Sequence, residues 1–321
     1  MTTMSQPLTL RGVTIPNRLW LSPMCMYSST PRHGLEGGVD DWHVSHLGMR
    51  AVGGAGLVMV EATAVDPVGR LTRGDLGVWS DAHVDGLRRL ASVIEQQGSV
   101  PGLQLGHAGP KASVLPPWAG RHQRVSVEDG GWLPWSPSSR GPDPTVHEMT
   151  TAEAAAVPEM FAAAAQRARD AGIQVVEVHA AHGYLLHQFL SPLTNMRTDA
   201  YGSDRSLLLV QVLEAVRAAW PEQLPLFLRV SAVDWLDGGL TVEDTIRVVN
   251  RVKAVGVDLV DVSSGGLPSA RIATSHGTKP ARPARLHARR HVARRSKPPA
   301  KSTNLSATKS GSGNLTRPLL G

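Results

Sequence analysis

The feature that most constrains this chain is a repeated alternation of short β-branched runs with longer helical stretches over its first 267 residues. The runs predict strands at 18–22, Leu57–Ala62, Gly102–Gly106, Val175–Ala180, Leu226–Ser231 and 258–264. The stretches between predict helices at 81–97, 151–171, 205–220 and 241–254. Thr151 and Thr241 stand where N-caps belong, with acids in the first turn, and Gly98, Gly172 and Gly256 stand where helices stop. Strands that alternate with helices pair in parallel through right-handed crossovers. An open doubly wound sheet and most of a (β/α)8 barrel both fit six such units.

Polar residues decide between them. Glu61, Gln104, His179, Arg229, Ser263 and Ser264 all fall at strand C-termini. A barrel brings every such end to one mouth, whereas an open sheet gathers only those beside its switch point. No glycine-rich phosphate loop opens a helix, and Gly53–Gly56 precedes its strand as a tight turn. The expected architecture is a TIM-type α/β barrel. The Trp- and Pro-rich stretch 108–148 is long for a loop in a compact domain and reads either as a lid or as a packed surface excursion.

Several function classes drop out. One cysteine in 321 residues excludes an intrachain disulfide framework and a cysteine-based zinc site. No apolar run reaches the ~18 residues that span a bilayer, and the N-terminus lacks a basic region followed by an apolar one. A cytoplasmic protein is expected.

Three local patterns carry chemistry. In His179-Ala180-Ala181-His182-Gly183-Tyr184 one imidazole ends a strand, a second lies in the following loop, and a phenol stands two residues on. HxxH lacks the i, i+4 spacing that puts two ligands on one helix face. Two satisfied structural histidines remain an alternative to a pair of N–H donors gripping a carbonyl or nitro oxygen, with Tyr184 as acid. Arg229, inside a strand, must meet an anion, a carboxylate or electron-rich ligand atoms, because its unpaired burial is costly. Gln104 at the same mouth both donates and accepts, which suits the edge of a heterocycle that alternates between neutral and anionic states. Cys25, between Met24 and Met26, is either an inert small residue or part of the site.

SPMCMYS, VEATAV, GLQLGHAG, EVHAAHGYLLHQFLSPLTNMRTDAYG, LRVSA and DLVDVSSGG occur here in order. Together they resemble the Old Yellow Enzyme family of FMN-dependent ene-reductases and NAD(P)H dehydrogenases, specifically its bacterial Cys-containing branch. The resemblance runs from about Leu8 to Leu267. It implies a TIM barrel with FMN across the strand C-termini, contacted by Ser22, Pro23, Met24, Ala62, Gln104 and Arg229. It implies that Cys25 tunes the flavin, that His179 and His182 hold the substrate oxygen, and that Tyr27 and Tyr184 flank the substrate. NAD(P)H would reduce the flavin, which would reduce an activated alkene such as an enone or nitroalkene, with Tyr184 delivering the proton. A homo-oligomer is compatible with the family.

The pattern is broken in three places. Pro110 stands where the family has Arg, and the segment Tyr201–Arg205 is about three residues shorter than the family's. After Leu267 the family continues with two more strand–helix units whose loops hold the flavin phosphate, as TIM barrels often do. Here residues 268–321 instead hold 12 Lys or Arg and no acid, which leaves 21 basic against 27 acidic residues in the rest of the chain. The whole basic character of this protein lies in that segment. The division expected is therefore a partial FMN-binding barrel, 1–267, and an irregular basic tail, 268–321. Out-of-frame translation, a solvated extension and a polyanion-binding tail each account for its composition. It has no aromatic residue, so specific nucleic-acid reading by stacking is not expected. An incomplete barrel predicts weak or absent FMN, and its alternative function is that of an inactive fragment binding polyanions non-specifically.

Overall fold

The computed structural model describes residues 3–30, 34–120, 123–138 and 145–267. The basic segment 268–321, with every expectation attached to it, lies outside the described residues.

The chain opens with a hairpin, β1 (Leu8–Leu10) and β2 (Val13–Ile15), and enters the main sheet at β3 (Trp20–Leu21). Helix α1 (Asp41–Val52) returns it to β4 (Leu57–Ala64), and α2 (Val84–Gln96) to β5 (Val100–Gly106). The excursion beyond β5 holds the short α3 (Pro117–Gly120) and a two-stranded patch of β6 (Trp135–Ser136) and β7 (His147–Glu148). Helix α4 (Thr151–Asp170) leads to β8 (Val175–Ala180). The short helices α5 (Leu185–Leu190) and α6 (Ala200–Ser203) precede α7 (Leu207–Ala219) and β9 (Leu226–Ser231). Helix α8 (Val242–Lys253) leads to β10 (Leu259–Ser263).

The sheet order is β3-β4-β5-β8-β9-β10, every pair parallel. The order follows the chain without reversal, so there is no switch point, and the barrel expectation holds over a doubly wound sheet. Among the described residues the sheet is an open, curled half-barrel. Trp20 of β3 stacks on Phe227 of β9 at 6.0 Å, and the edge strands β3 and β10 face a shared cavity of about 320 Å³. At the N-terminal end of the strands, Val13 and Ile15 of the hairpin pack with Leu57, Met59, Val175 and Phe227. Arg11 secures the hairpin through Asp258 at 2.7 Å.

The outer face of the sheet is covered by helices. Leu87, Leu90, Ala91 and Ile94 give α2 its buried stripe, and Ala154, Phe161, Ala164, Ala165 and Ala168 that of α4. Each fully buried leucine or phenylalanine stabilises by roughly 1.5–3 kcal/mol. The cap of α4 is Thr150, not Thr151: its hydroxyl accepts from the Glu153 N–H at 3.1 Å, and the Glu153 carboxylate accepts from the Thr150 N–H at 2.7 Å. Thr241 caps α8 as expected, in the same reciprocal manner with Asp244. Gly98, Gly172 and Gly256 all adopt positive φ beyond helix ends. Helix α1 carries little helical signal in the sequence, because its buried stripe of His43, Leu47, Gly48 and Ala51 contains one large apolar side chain.

Candidate active site

The registers explain why polar residues gather at one mouth. In a parallel sheet, paired residues share a face, and residues two apart on a strand share it too. Gln104 pairs with Glu177, His179 with Arg229, and Arg229 with Asp261. Glu177 and His179 therefore place the whole set on the inner face, above Phe227.

The inner set is linked as two polar pairs. Gln104 donates through Nε2 to Glu177 Oε1 at 2.6 Å, both side chains being buried. Burial pushes the Glu177 carboxyl up to about 7, the Gln104 hydrogen bond opposes this, and Asp261 reinforces it. Arg229 Nε lies 3.3 Å from Asp261 Oδ2, yet it is buried without a hydrogen-bond partner. The counter-anion expected for Arg229 is thus an internal carboxylate held in loose geometry. Glu177 and Asp261 were missed in the sequence. The available signal was their spacing, two residues before strand-end polar groups.

His179 stands at the C-terminal end of β8, and His182 and Tyr184 stand in the turn after it. The rings of His179 and His182 are perpendicular at 5.2 Å, and Tyr184 stacks on His179 at 4.4 Å. Nδ1 of His179 accepts the Ala181 N–H at 3.1 Å, so its proton sits on Nε2. Burial holds His179 well below the usual imidazole range and His182 down at about 4, and the charges of Arg229 and Lys111 act in the same direction on both. Both rings are neutral at pH 7. Lys111, in the turn after β5, joins Glu177 and Asp261 as a site residue missed in the sequence.

His182 has a left-handed backbone, φ +58°, locked from two sides. Its N–H donates to Ser231 Oγ at 2.9 Å, and Ser231 donates to the Gly265 carbonyl at 2.8 Å. Gly266 (φ +105°) follows β10 so closely that a Cβ there would fall 2.3 Å from the His182 Cα. His182 Nε2 meets Ser263 Oγ at 2.6 Å, so Nδ1 is the ring atom left for another group. Among the described residues no cluster of three His, Cys, Asp or Glu is placed to hold a metal ion.

On the other side, Cys25 Sγ lies 3.7 Å from Tyr184 Oη. Burial pushes the Cys25 thiol and the Tyr184 phenol up, so both keep their protons. Ala62 packs with Tyr184 and Cys25. Tyr27 is partly buried, at φ +54°, edge-on to Trp118 at 5.9 Å. Ser22 and Pro23 border the inner cavity, and Met24 is exposed. The structure therefore brings Cys25, Ala62, His179, His182 and Tyr184 together. Gln104 and Arg229 sit on the same inner face, each tied to its own carboxylate.

The long excursion 108–148 packs in part against the strand-end loops. Trp132 donates from Nε1 to the Val68 carbonyl at 2.8 Å, and Trp135 stacks on His107 at 5.5 Å. Arg124 donates to the carbonyls of Pro110 and Ala112, fastening the turn where Pro110 replaces the expected arginine. In the shortened segment Arg205 is exposed, and Asp204 instead pairs with Arg251 of α8 at 2.6 Å.

The profile of the NADH:flavin oxidoreductase / NADH oxidase family matches residues 3–310. The chain belongs to this family. It is 44% identical over 274 residues to an NADPH dehydrogenase of Geobacillus sp. (strain WCH70), covering 84% of this chain and 75% of that one. It is 42% identical over 273 residues to an NADPH dehydrogenase of Bacillus subtilis (strain 168), covering 83% and 74%. A solved structure of morphinone reductase in complex with tetrahydroNAD superposes with a TM-score of 0.68 at 26% identity, covering 82% of this chain and 74% of that one. By family the activity is FMN- and NAD(P)H-linked oxidoreductase chemistry of the Old Yellow Enzyme, ene-reductase type. No helix among the described residues is long and apolar enough to cross a membrane.

Proposed function

We propose that this chain is an ene-reductase in which the strand ends around Gly106 and Ala62 would hold the flavin ring, and His179 and His182 would hold an activated alkene. The observation that carries this is the convergence of two neutral imidazoles, a protonated phenol and a thiol on one floor. A side chain at Gly106 would rise to within 3.6–4.0 Å of Ala62, His179 and Tyr184, so its absence keeps that floor flat.

The residues fit a flavin ring. Its pyrimidine edge is electron-rich, and Arg229 Nε, 3.3 Å from Asp261 Oδ2, is a buried donor that makes no hydrogen bond. Gln104, oriented by Glu177, completes the edge, and Ser22, Pro23, Met24, Cys25 and Ala62 form the border at β3 and β4. When bound, FMN carries reducing equivalents from NAD(P)H to the alkene β-carbon. His179 Nε2–H and His182 Nδ1–H bind the substrate's carbonyl or nitro oxygen and stabilise the negative charge that develops on it, each worth about 3 kcal/mol at the transition state. Tyr184, kept protonated by burial, delivers the proton to the α-carbon. Tyr27 flanks the substrate, and Cys25 sets the electronics of the ring.

The partial barrel is read as 1–267, and the setting as cytoplasmic, in keeping with the single cysteine. The test is titration of the purified chain with FMN and with riboflavin, followed by NAD(P)H-driven reduction of cyclohexenone and a nitroalkene. Flavin binding with alkene turnover supports the reading. A chain that binds neither flavin refutes it.

A further inference from the structure

One carboxylate at the mouth has no part in the chemistry above. Glu61 is 1% exposed. Its Oε2 accepts the Met26 N–H at 2.7 Å. Its Oε1 has no hydrogen-bond partner and faces Nε2 of His43, equally buried and equally unpartnered, at 3.7 Å. Nδ1 of His43 accepts the Asp40 N–H at 3.0 Å, so the ring proton sits on Nε2, toward Glu61.

Burying a carboxylate is costly unless it is paired and hydrogen-bonded. Here that cost is offset by one strong hydrogen bond and one loose contact, and the strong bond goes to the segment that carries Cys25 and Tyr27. The segment is strained, with Tyr27 at φ +54°, a conformation non-glycine residues adopt only when their surroundings hold them there. Two anchors bracket it. Met26 is tied to Glu61, and Ser29 donates to the Gly74 carbonyl at 2.8 Å, where any Cβ on Gly74 would fall 2.5 Å from the Tyr27 carbonyl oxygen.

We propose that Glu61 is a positioning residue: through the Met26 amide it fixes Cys25 against Tyr184 and holds Tyr27 in its left-handed conformation, with His43 as the buried counter-group. This rests on the reading of Cys25, Tyr27 and Tyr184 as the substrate side of the site. The titratable and charged groups facing Cys25 are the carboxylates of Glu61 and Asp75 and the phenols of Tyr27 and Tyr184. Both carboxylates disfavour a thiolate at Cys25.

Because Cys25 is the sole cysteine, alkylation of the full chain by iodoacetamide, read by mass, reports this position alone. Glu61→Gln keeps an acceptor for Met26 and removes the charge, whereas Glu61→Ala removes both. In Glu61→Gln the alkylation profile is expected to move toward lower pH, with about a tenfold faster reaction at pH 8, one pK unit being tenfold. In Glu61→Ala the reaction is faster still, and hydrogen exchange at the Met26 amide, protected in the unmodified chain and in Glu61→Gln, accelerates at least about tenfold. Identical alkylation profiles in all three proteins, or Met26 exchange unchanged in Glu61→Ala, would overturn the proposal. If neither variant folds, the unmodified chain decides, since an unprotected Met26 amide overturns it and a protected one supports it. Both readouts are taken without flavin, so failure to bind FMN leaves them intact.

Discussion

Asp234 is the residue whose removal should cost the site most without touching substrate. It is buried beyond β9 and accepts three hydrogen bonds: from His187 Nε2 at 2.7 Å, Ser191 Oγ at 2.7 Å and the Leu240 N–H at 2.8 Å. His187, fully buried, in turn accepts the Gly183 N–H at 2.7 Å, and Gly183 lies between His182 and Tyr184. Asp234→Ala leaves three buried donors without an acceptor. Each such group costs about 1–3 kcal/mol, and breaking a buried ionic or charge-assisted pair costs about 3–5 kcal/mol in all. Allowing for relaxation, the expected loss is about 4 kcal/mol, and about 2 kcal/mol for Asp234→Asn, which retains one acceptor oxygen. At roughly 2–4 °C per kcal/mol for a chain of this size, the alanine variant melts about 10 °C lower. Guanidinium unfolding followed by tryptophan fluorescence measures the difference directly. Burial raises the Asp234 carboxyl, but its hydrogen bonds, led by the one from His187, outweigh this and leave it below the usual range. Its stabilisation is therefore present above the unfolded carboxylate range and lost as pH falls through the lowered folded value. The alanine variant should lack that acid-side loss. Losses under about 1 kcal/mol in both variants would refute the account of this network.

Three further outcomes are expected. His179→Ala combined with His182→Ala should abolish NAD(P)H-driven alkene reduction while flavin reduction persists more strongly, and wild-type alkene turnover would sink the assignment. Gly266→Ala, which sets a Cβ 2.3 Å from the His182 Cα at φ +105°, should lower unfolding stability by at least about 2 kcal/mol; a neutral result would mean the turn relaxes freely. Glu177, raised by burial to about 7, binds its proton more tightly folded than unfolded, so its contribution is full below about pH 4 and is lost as pH rises toward 7. Glu177→Gln should accordingly flatten the fall in stability between about pH 4.5 and 7, an effect of about 3 kcal/mol, and unchanged pH dependence in urea titrations would remove Glu177 from the account.

What the sequence determined by itself was whatever depends on near neighbours along the chain. All six strands of the main sheet, and four of the five long helices, α2, α4, α7 and α8, were legible, because hydrophobic period and cap chemistry are local properties. His179, His182, Tyr184, Cys25, Gln104 and Arg229 were legible as candidates because polar side chains at strand C-termini stand out against β-branched runs. Helix α1 was not, since its thin stripe buries His43 and Gly48 and gains its stability from packing on β4 and α2. Only the tertiary structure could pair Gln104 with Glu177, Arg229 with Asp261 and Met26 with Glu61, because these contacts follow from strand register and sheet curl, which bring together residues 32 to 73 positions apart. The same holds for Gly266 against His182, where the close approach of two backbones, and not any side-chain preference, decides the geometry of the site.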